Sequence, residues 1–265
     1  MSGEELVAGE LLLGRFLLIE RLGAGGFASV WLAEDLHLVG KRRVAVKVLL
    51  ALRLEQADSL ERFIVEARVL CKLDHPAIAK AYDVYADQEI ALYAMEFVEG
   101  VTLKEELARR SRAKAAYSLM EILEIGFALS AALEHAHAHR IVHRDLKPAN
   151  VLLPSDGRAR GAVAKLVDFG IAKDMGREDA TTQGRFFGSW AYMAPEQARG
   201  TGINERTDVF GLACVMFEVI TLCRAWIRDD NDRPQPVADR TRLDGVNGPL
   251  AITDRVARGA RPSLV

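Results

Sequence analysis

The sequence predicts an α+β protein in two parts: a small antiparallel sheet carrying one main helix, then a larger and mostly helical part. Three observations predict it. Within the first hundred residues, "GRFLLIERLGAGGFASVWLAED" and "RRVAVKVLL" hold short apolar runs with β-branched residues at period two. One amphipathic segment interrupts these strands. From residue 118 the text changes to long apolar helices, "SLMEILEIGFALSAALEHAHAH" at 118–139 and "DVFGLACVMFEVITL" at 208–222.

The interrupting helix is read over 58–73, "DSLERFIVEARVLCKL". Leu60, Phe63, Ile64, Ala67, Leu70 and Cys71 recur at helical spacing behind an Asp or Ser cap. Glu66 falls on the flank of that apolar stripe, so its carboxylate faces inward and needs a partner. "IALYAMEFVEGVTL" reads as a buried strand running into a glycine-containing linker. "NVLL" and "AKLVDFG", joined by "PSDGRARGA" with its Asp156-Gly157 turn signal, form a hairpin. Residues 171–187 hold no sustained apolar period and read as a long surface loop. After Cys223 the text is polar, with Pro234 and Pro236 in "RDDNDRPQPVADR", and reads as a disordered edge with a weak helical pattern in "AITDRVARG".

Composition narrows the class. Half of the 265 residues are hydrophobic and 27% are charged, enough for the core of one large domain or two small lobes and too apolar for disorder. A net charge of −2 gives no general pull toward nucleic acid, which is not expected as a partner. No run of about 18 apolar residues occurs, and Glu4 and Glu5 stand where a secretion signal carries positive charge. The expectation is a cytoplasmic chain with no membrane segment. Cys71, Cys214 and Cys223 are widely spaced and read as reduced core thiols.

Chemistry concentrates in a few segments. In "GAGGFASV", Gly23 and Gly25 allow a backbone to approach a phosphate, although such a pair serves a hairpin turn equally well. In "VAVK", Ala45 and Lys47 point to one face of a strand while Val44, Val46 and Val48 point to the other. Lys47 inside an apolar strand needs an anion unless the strand lies at a solvated edge, and Glu66 can supply it. In "HRDLKPAN", Asp145 and Asn150 sit five residues apart on a loop, and Asp168 ends the strand that leads into "DFG". Oxygen ligands brought together from a loop and a hairpin end suit a hard cation such as Mg²⁺. The four histidines His135, His137, His139 and His143 precede this loop; they converge poorly for a metal, and His137 and His143 read as packing residues with His135 and His139 on the helix surface.

With "GAGGFASV", "VAVK", Glu66, "HRDLKPAN", "DFG" and "APE" at 194–196 standing in that order, the chain resembles a protein kinase catalytic domain. The resemblance implies a bilobal fold over residues 14–265, with an N-lobe at 14–95, a hinge at 96–100 and a C-lobe at 101–265 that stops short of its last helices. Those implied missing helices would leave Glu196 without its usual arginine and the 208–222 helix with uncovered apolar surface. Lys147 and Ser189 are similar to the serine/threonine form of the family, and the overall style of the motifs to its bacterial members.

Site roles follow from the same resemblance. ATP would be held by Leu22, Gly23, Gly25, Ala28, Val30, Ala45, Lys47, Met95, Glu96, Val98 and Leu152. Lys47 would be paired with Glu66, Asp145 would be the catalytic base, and Lys147 would steady the γ-phosphate. Asn150 and Asp168 would hold Mg²⁺, and Asp208 would anchor the catalytic loop. Arg144 implies control through phosphorylation of the following loop, with Thr181, Thr182 and Ser189 as candidates, a transient homodimer for phosphorylation in trans, and protein serines and threonines as substrates. Two departures are expected to be mild: Ala28 replaces a third glycine, and Ala213 replaces another. The competing readings are an inactive kinase-shaped scaffold or truncated fragment, and a small-molecule phosphotransferase, against which Lys147 and the full "DFG" to "APE" loop argue.

Overall fold

The computed structural model describes residues 6–24, 28–37, 42–49, 57–87, 90–156, 162–169, 190–228 and 234–237, together with Ile252, Asp254 and Val256. They fall into two compact units, one ending at Val98 and one beginning at Glu99.

The first unit is built on a six-stranded antiparallel sheet. Its strands are β1 (Leu11–Leu12), β2 (Phe16–Ala24), β3 (Ala28–Asp35), β4 (Arg42–Leu49), β5 (Ala81–Ala86) and β6 (Ala91–Glu96), in the spatial order β1-β2-β3-β4-β6-β5. Because side chains alternate along a strand, the register decides what each face holds. Trp31, Ala33, Val44, Val46, Val48, Leu92 and Ala94 share one buried cluster with Phe16 and Leu18. Lys47 lies opposite Val30 and Tyr93, and Ala45 opposite Met95, so these residues take the second face. The division of Val44, Val46 and Val48 from Ala45 and Lys47 is as the period-two reading requires.

Helix α1 (Ala57–Leu70) buries Phe63, Glu66, Ala67 and Leu70, and Phe63 packs its ring 5.3 Å from that of Tyr93 on this second face. The helix ends three residues earlier than its apolar spacing predicts. Lys72 and Leu73 donate to carbonyls three residues back, which tightens the last turn and closes the helix. Cys71 is consequently exposed, and only Cys214 among the three free cysteines is a core thiol.

The second unit opens with β7 (Gly100–Thr102), which joins β8 (Val151–Pro154) and β9 (Lys165–Leu166) in a small antiparallel sheet. Gly100 is obligatory there, since a Cβ at this position would stand on the Leu153 carbonyl oxygen. Thr102 caps α2 (Leu103–Ala113), and Ser118 caps α3 (Leu119–Ala138); each hydroxyl accepts from the backbone of a glutamate three residues on, whose side chain answers the cap's own N–H. Arg110 bridges Glu106 and Glu121, tying α2 to α3. Helix α3 buries Ile125, Ala128, Leu129, Ala132, Leu133 and Ala136. Gly126 lets it approach Met216 of α5 (Glu205–Thr221).

Beyond α4 (Pro195–Arg199) and α5, the structure departs from the sequence reading. Strand β10 (Cys223–Arg228) pairs antiparallel with β11 (Pro234–Pro236) in a stretch read as a disordered edge. Ala225, Trp226 and Ile227 alternate poorly, yet all are buried with Cys214, Ile252 and Val256. Trp226 Nε1 donates to Cys214 Sγ at 3.2 Å. The prolines sit in a two-stranded ribbon, where a strand can lack an N–H without breaking a ladder. Helix α5 keeps Val209 and Ile220 exposed. Glu196, expected to lack a partner, accepts a hydrogen bond from Thr207 Oγ1 at 2.7 Å.

Glu218 of α5 is buried and accepts from Tyr192 Oη at 2.8 Å. Burial pushes its carboxyl up from 4.5 to about 7, against the opposing pull of the tyrosine hydroxyl and Arg224. Between these values the folded chain holds a proton that the unfolded chain has released, so stability falls as pH rises through the window. The loss from pH 4.5 to 7 should total about 3 kcal/mol, and Glu218→Gln should flatten it, as read from urea unfolding at several pH values.

Candidate active site

In the first unit the site is a charge pair on the second face of the sheet. Lys47 Nζ lies 2.7 Å from Glu66 Oε1, and their side chains are 15% and 9% exposed. The inward-facing carboxylate on α1 and the lysine in β4 thus complete each other, as a buried ion pair must. Tyr93 adds a hydrogen bond from its hydroxyl to the same Glu66 oxygen at 2.9 Å, and its ring lies 5.6 Å below the Lys47 ammonium. Sequence reasoning missed Tyr93. Its signal was available, since it stands two residues before Met95 and therefore shares that face.

Other candidate nucleotide residues of this unit lie nearby in register. Val30 is across from Lys47, Ala45 across from Met95, and Gly23 across from Val30. Leu22 and Gly23 are exposed at the end of β2, whereas Ala28 begins β3 and is buried. Glu96 and Val98 are buried; the Glu96 N–H donates to the Lys80 carbonyl at 2.8 Å, and the Glu96 side chain accepts the Lys80 N–H at 3.3 Å. Gly25 lies outside the described residues, as do Thr181, Thr182 and Ser189.

In the second unit the candidates gather on the loop after α3. Asp145 Oδ2 is 2.7 Å from Lys147 Nζ and accepts from Asn150 Nδ2 at 3.2 Å. The same amide donates to the Asp145 carbonyl at 2.9 Å and reaches the Asp168 carbonyl at 3.5 Å. Asp145, Lys147, Asn150 and Asp168 are therefore brought together by a single amide group and one ion pair. Leu152 stands in β8 opposite Lys165 and Thr102.

What holds this loop is Asp208, 1% exposed near the start of α5. Its two oxygens accept the backbone N–H groups of His143 and Arg144, each at 2.8 Å, and His137 Nε2 lies 2.7 Å from Oδ2. A buried carboxylate satisfied by several donors is a strong clamp. Arg144 takes a left-handed backbone conformation, φ +65°, and its carbonyl accepts from Gln197 Nε2 at 2.7 Å. Gly211 completes the approach, because a Cβ there would press on Leu146 at 3.1 Å. Ala213, where the resemblance expects glycine, is exposed.

The histidines divide by task. His143 is fully buried; its Nδ1 accepts from the Asp145 N–H, its Nε2 faces the Val167 carbonyl at 3.3 Å, and its ring packs 4.4 Å from Phe169. Burial pushes its pKa down, so the neutral ring with its proton on Nε2 is the form held here. His137 belongs to the clamp. His139 is exposed and His135 half-buried, with ring centroids 4.5 Å apart. Among the described residues no group of three or more His, Cys, Asp or Glu side chains is placed to hold a metal ion, and no helix is long and apolar enough to cross a membrane.

A sheet-borne lysine–glutamate pair and a clamped aspartate–lysine–asparagine loop, in this order along the chain, define the class. The chain belongs to the protein kinase domain family, whose pattern matches residues 16–245. It is 36% identical over 218 residues to serine/threonine-protein kinase PrkC of Bacillus subtilis, an alignment covering 82% of this chain and 32% of that protein. It is likewise 36% identical over 227 residues to serine/threonine-protein kinase PknA of Mycobacterium tuberculosis, covering 83% of this chain and 50% of the relative. The chain thus spans a third to a half of the length of these relatives.

Replacing Asp208 by Ala would leave two buried backbone donors and His137 unanswered. The expected cost is about 3 kcal/mol or more, seen as a lowered urea midpoint, and Asp208→Asn, which keeps one acceptor, should lose less.

Proposed function

We propose that this chain is a serine/threonine protein kinase that transfers the γ-phosphoryl group of ATP to serine or threonine hydroxyls of proteins. The observation that carries the reading is the Asp145 carboxylate, held 2.7 Å from Lys147 Nζ and hydrogen-bonded to the Asn150 amide on a loop fixed by buried Asp208. Asp145 orients the acceptor hydroxyl and takes its proton as the acceptor oxygen bonds to the γ-phosphorus and the bond to the β–γ bridging oxygen breaks, releasing ADP. Lys147 neutralises charge developing on the transferred group, and Lys47, steadied by Glu66, does the same for the α- and β-phosphates.

The donor set fits Mg²⁺. The Asn150 amide nitrogen is spent on Asp145 and the Asp168 carbonyl, which turns the amide oxygen to the role of ligand beside the Asp168 carboxylate. When bound, the ion supplies charge neutralisation at the phosphates. Leu22, Gly23, Gly25, Ala28, Val30, Ala45, Met95, Glu96, Val98 and Leu152 are the proposed contacts to the nucleotide. Thr181, Thr182 and Ser189 are the proposed autophosphorylation and control positions, with Arg144 as the partner of a phosphate there. The relatives' names support serine and threonine as acceptors, as does Lys147.

The test is transfer of labelled γ-phosphate to a mixed peptide substrate and to the chain itself, with Mg²⁺ and then with EDTA. Asp145→Asn and Lys47→Met should each lower turnover by about a thousandfold or more; Lys47→Met, which leaves the buried Glu66 carboxylate without its cation, should also melt earlier, and Asp145→Asn should not. Turnover indifferent to both changes would overturn the reading in favour of a binding scaffold. Thr181→Ala, Thr182→Ala and Ser189→Ala together should abolish incorporation into the loop.

A further inference from the structure

Four large apolar side chains on the first half of α3 face solvent: Leu119, Met120, Leu123 and Phe127, with exposures of 71, 65, 56 and 78%. At about 100° per residue they fall within an arc of about 100°, so they form one stripe and not scattered residues. Helix α3 has its own buried face in Ile125, Ala128, Leu129, Ala132, Leu133 and Ala136, so this stripe is a second apolar surface. Core packing within the described residues does not use it.

Charges bracket the stripe at its two ends. Arg112 and Lys114, at the end of α2 just before α3, are exposed. Glu134 is exposed two turns past Phe127 on the same arc, with exposed Ser130 between them. The neighbouring Arg110 is already engaged by Glu106 and Glu121 and stacks on Tyr117 at 3.8 Å. No ion pair among the described residues uses Arg112, Lys114 or Glu134. Along α3 the surface therefore runs basic, apolar, acidic.

Such a polarity is complementary to itself when reversed. We propose that this face of α3 binds a second copy of the chain, with the two α3 helices antiparallel about a twofold axis midway between Leu123 and Phe127. Leu123 then meets the partner's Phe127, Met120 lies over the partner's Ser130, and Glu134 comes to the basic end formed by the partner's Arg112 and the partner's Lys114. An anionic lipid surface would welcome the basic end but would be repelled by Glu134 in the middle of the arc; a second copy uses both. The stripe offers on the order of 500 Å² per copy, so a pair buries about 1,000 Å², the lower limit for a specific interface. The dimer is accordingly weak and concentration-dependent.

Sedimentation velocity of the whole chain over a wide concentration range should show a monomer–dimer equilibrium that Phe127→Glu weakens at least about tenfold, while circular dichroism and melting stay unchanged because Phe127 is exposed. Charge reversal supplies the sharper arm. Lys114→Glu and Glu134→Lys should each weaken self-association, and mixing the two variants should restore much of it, since both contacts between positions 114 and 134 in the mixed dimer are again between opposite signs. A chain that stays monomeric at all concentrations overturns the proposal. So does a dimer indifferent to Phe127→Glu, a mixture that fails to recover, or binding of anionic vesicles in place of dimerisation. These readouts do not depend on phosphoryl transfer.

Discussion

Everything chemical in the second unit hangs from the Asp208 carboxylate. It is buried and ionisable, and such a group is tolerated only where donors replace water. It finds them in two consecutive backbone N–H groups, at His143 and Arg144, and in His137 one helix away. Because the donors are main-chain groups, the contact fixes the path of the loop and not merely a side chain. The next residue is Asp145, whose carboxylate direction is then set by Lys147 and Asn150. The α5 helix can bring Asp208 this close because position 211 has no Cβ to strike Leu146. His143 gains a second task from its burial: kept neutral, it accepts at Nδ1 from the Asp145 N–H and packs on Phe169 beside Asp168.

The first unit solves a similar problem with a different device. A lysine in the middle of a strand buried on both faces would be costly alone, and Glu66 removes that cost only because α1 lays its flank on the sheet. Buried ion pairs add little to stability compared with apolar packing of the same volume, so this pair is better understood as a way to hold an ammonium ready for another anion. Tyr93 sharpens the placement by fixing the Glu66 oxygen that Lys47 uses. The opposite face of the sheet is mainly apolar, and its buried polar groups Ser29 and Asp35 are taken up by Trp31 and Arg15, so the strand register separates stability from chemistry.

Much of this was legible in the sequence where local pattern decides structure. Alternation in "VAVK" assigned both faces of β4, the 3.6-residue period put Glu66 on the inward flank of α1, and the long apolar run at 118–139 located α3. The motif order identified Asp145, Lys147, Asn150 and Asp168, and the structure brings these four together. What was hidden depends on contacts between distant segments. The β10–β11 ribbon has no period and contains prolines, so only its burial against Cys214 and Val256 reveals it. The Tyr192–Glu218 and Thr207–Glu196 contacts join residues whose meeting no local spacing announces. Cys71 fell on the apolar arc of α1, but the helix closes with a tighter turn there and leaves it exposed.

Backbone strain marks the same loop independently. Six described residues other than glycine have positive φ. Lys114 and Leu222 cap α2 and α5, Arg140 follows the end of α3, and Leu13 turns β1 into β2, so four are explained by chain reversal or helix termination. The other two are Arg144 and Asp168, at +65° and +54°. Each costs about 1 kcal/mol or more relative to glycine, which would have met the turn requirement without a side chain. The side chains must therefore be what is kept. At 168 that is the carboxylate proposed as a metal ligand, whose carbonyl lies at the edge of the Asn150 amide's reach. At 144 it is a guanidinium on a backbone clamped from both sides, its N–H by Asp208 and its carbonyl by Gln197, so the strain is held by neighbours that do not share the chemistry. The two positions not explained by a turn or a helix end thus adjoin the Asp145 carboxylate and the Asn150 amide, which fits the preorganised loop that the proposed phosphoryl transfer needs.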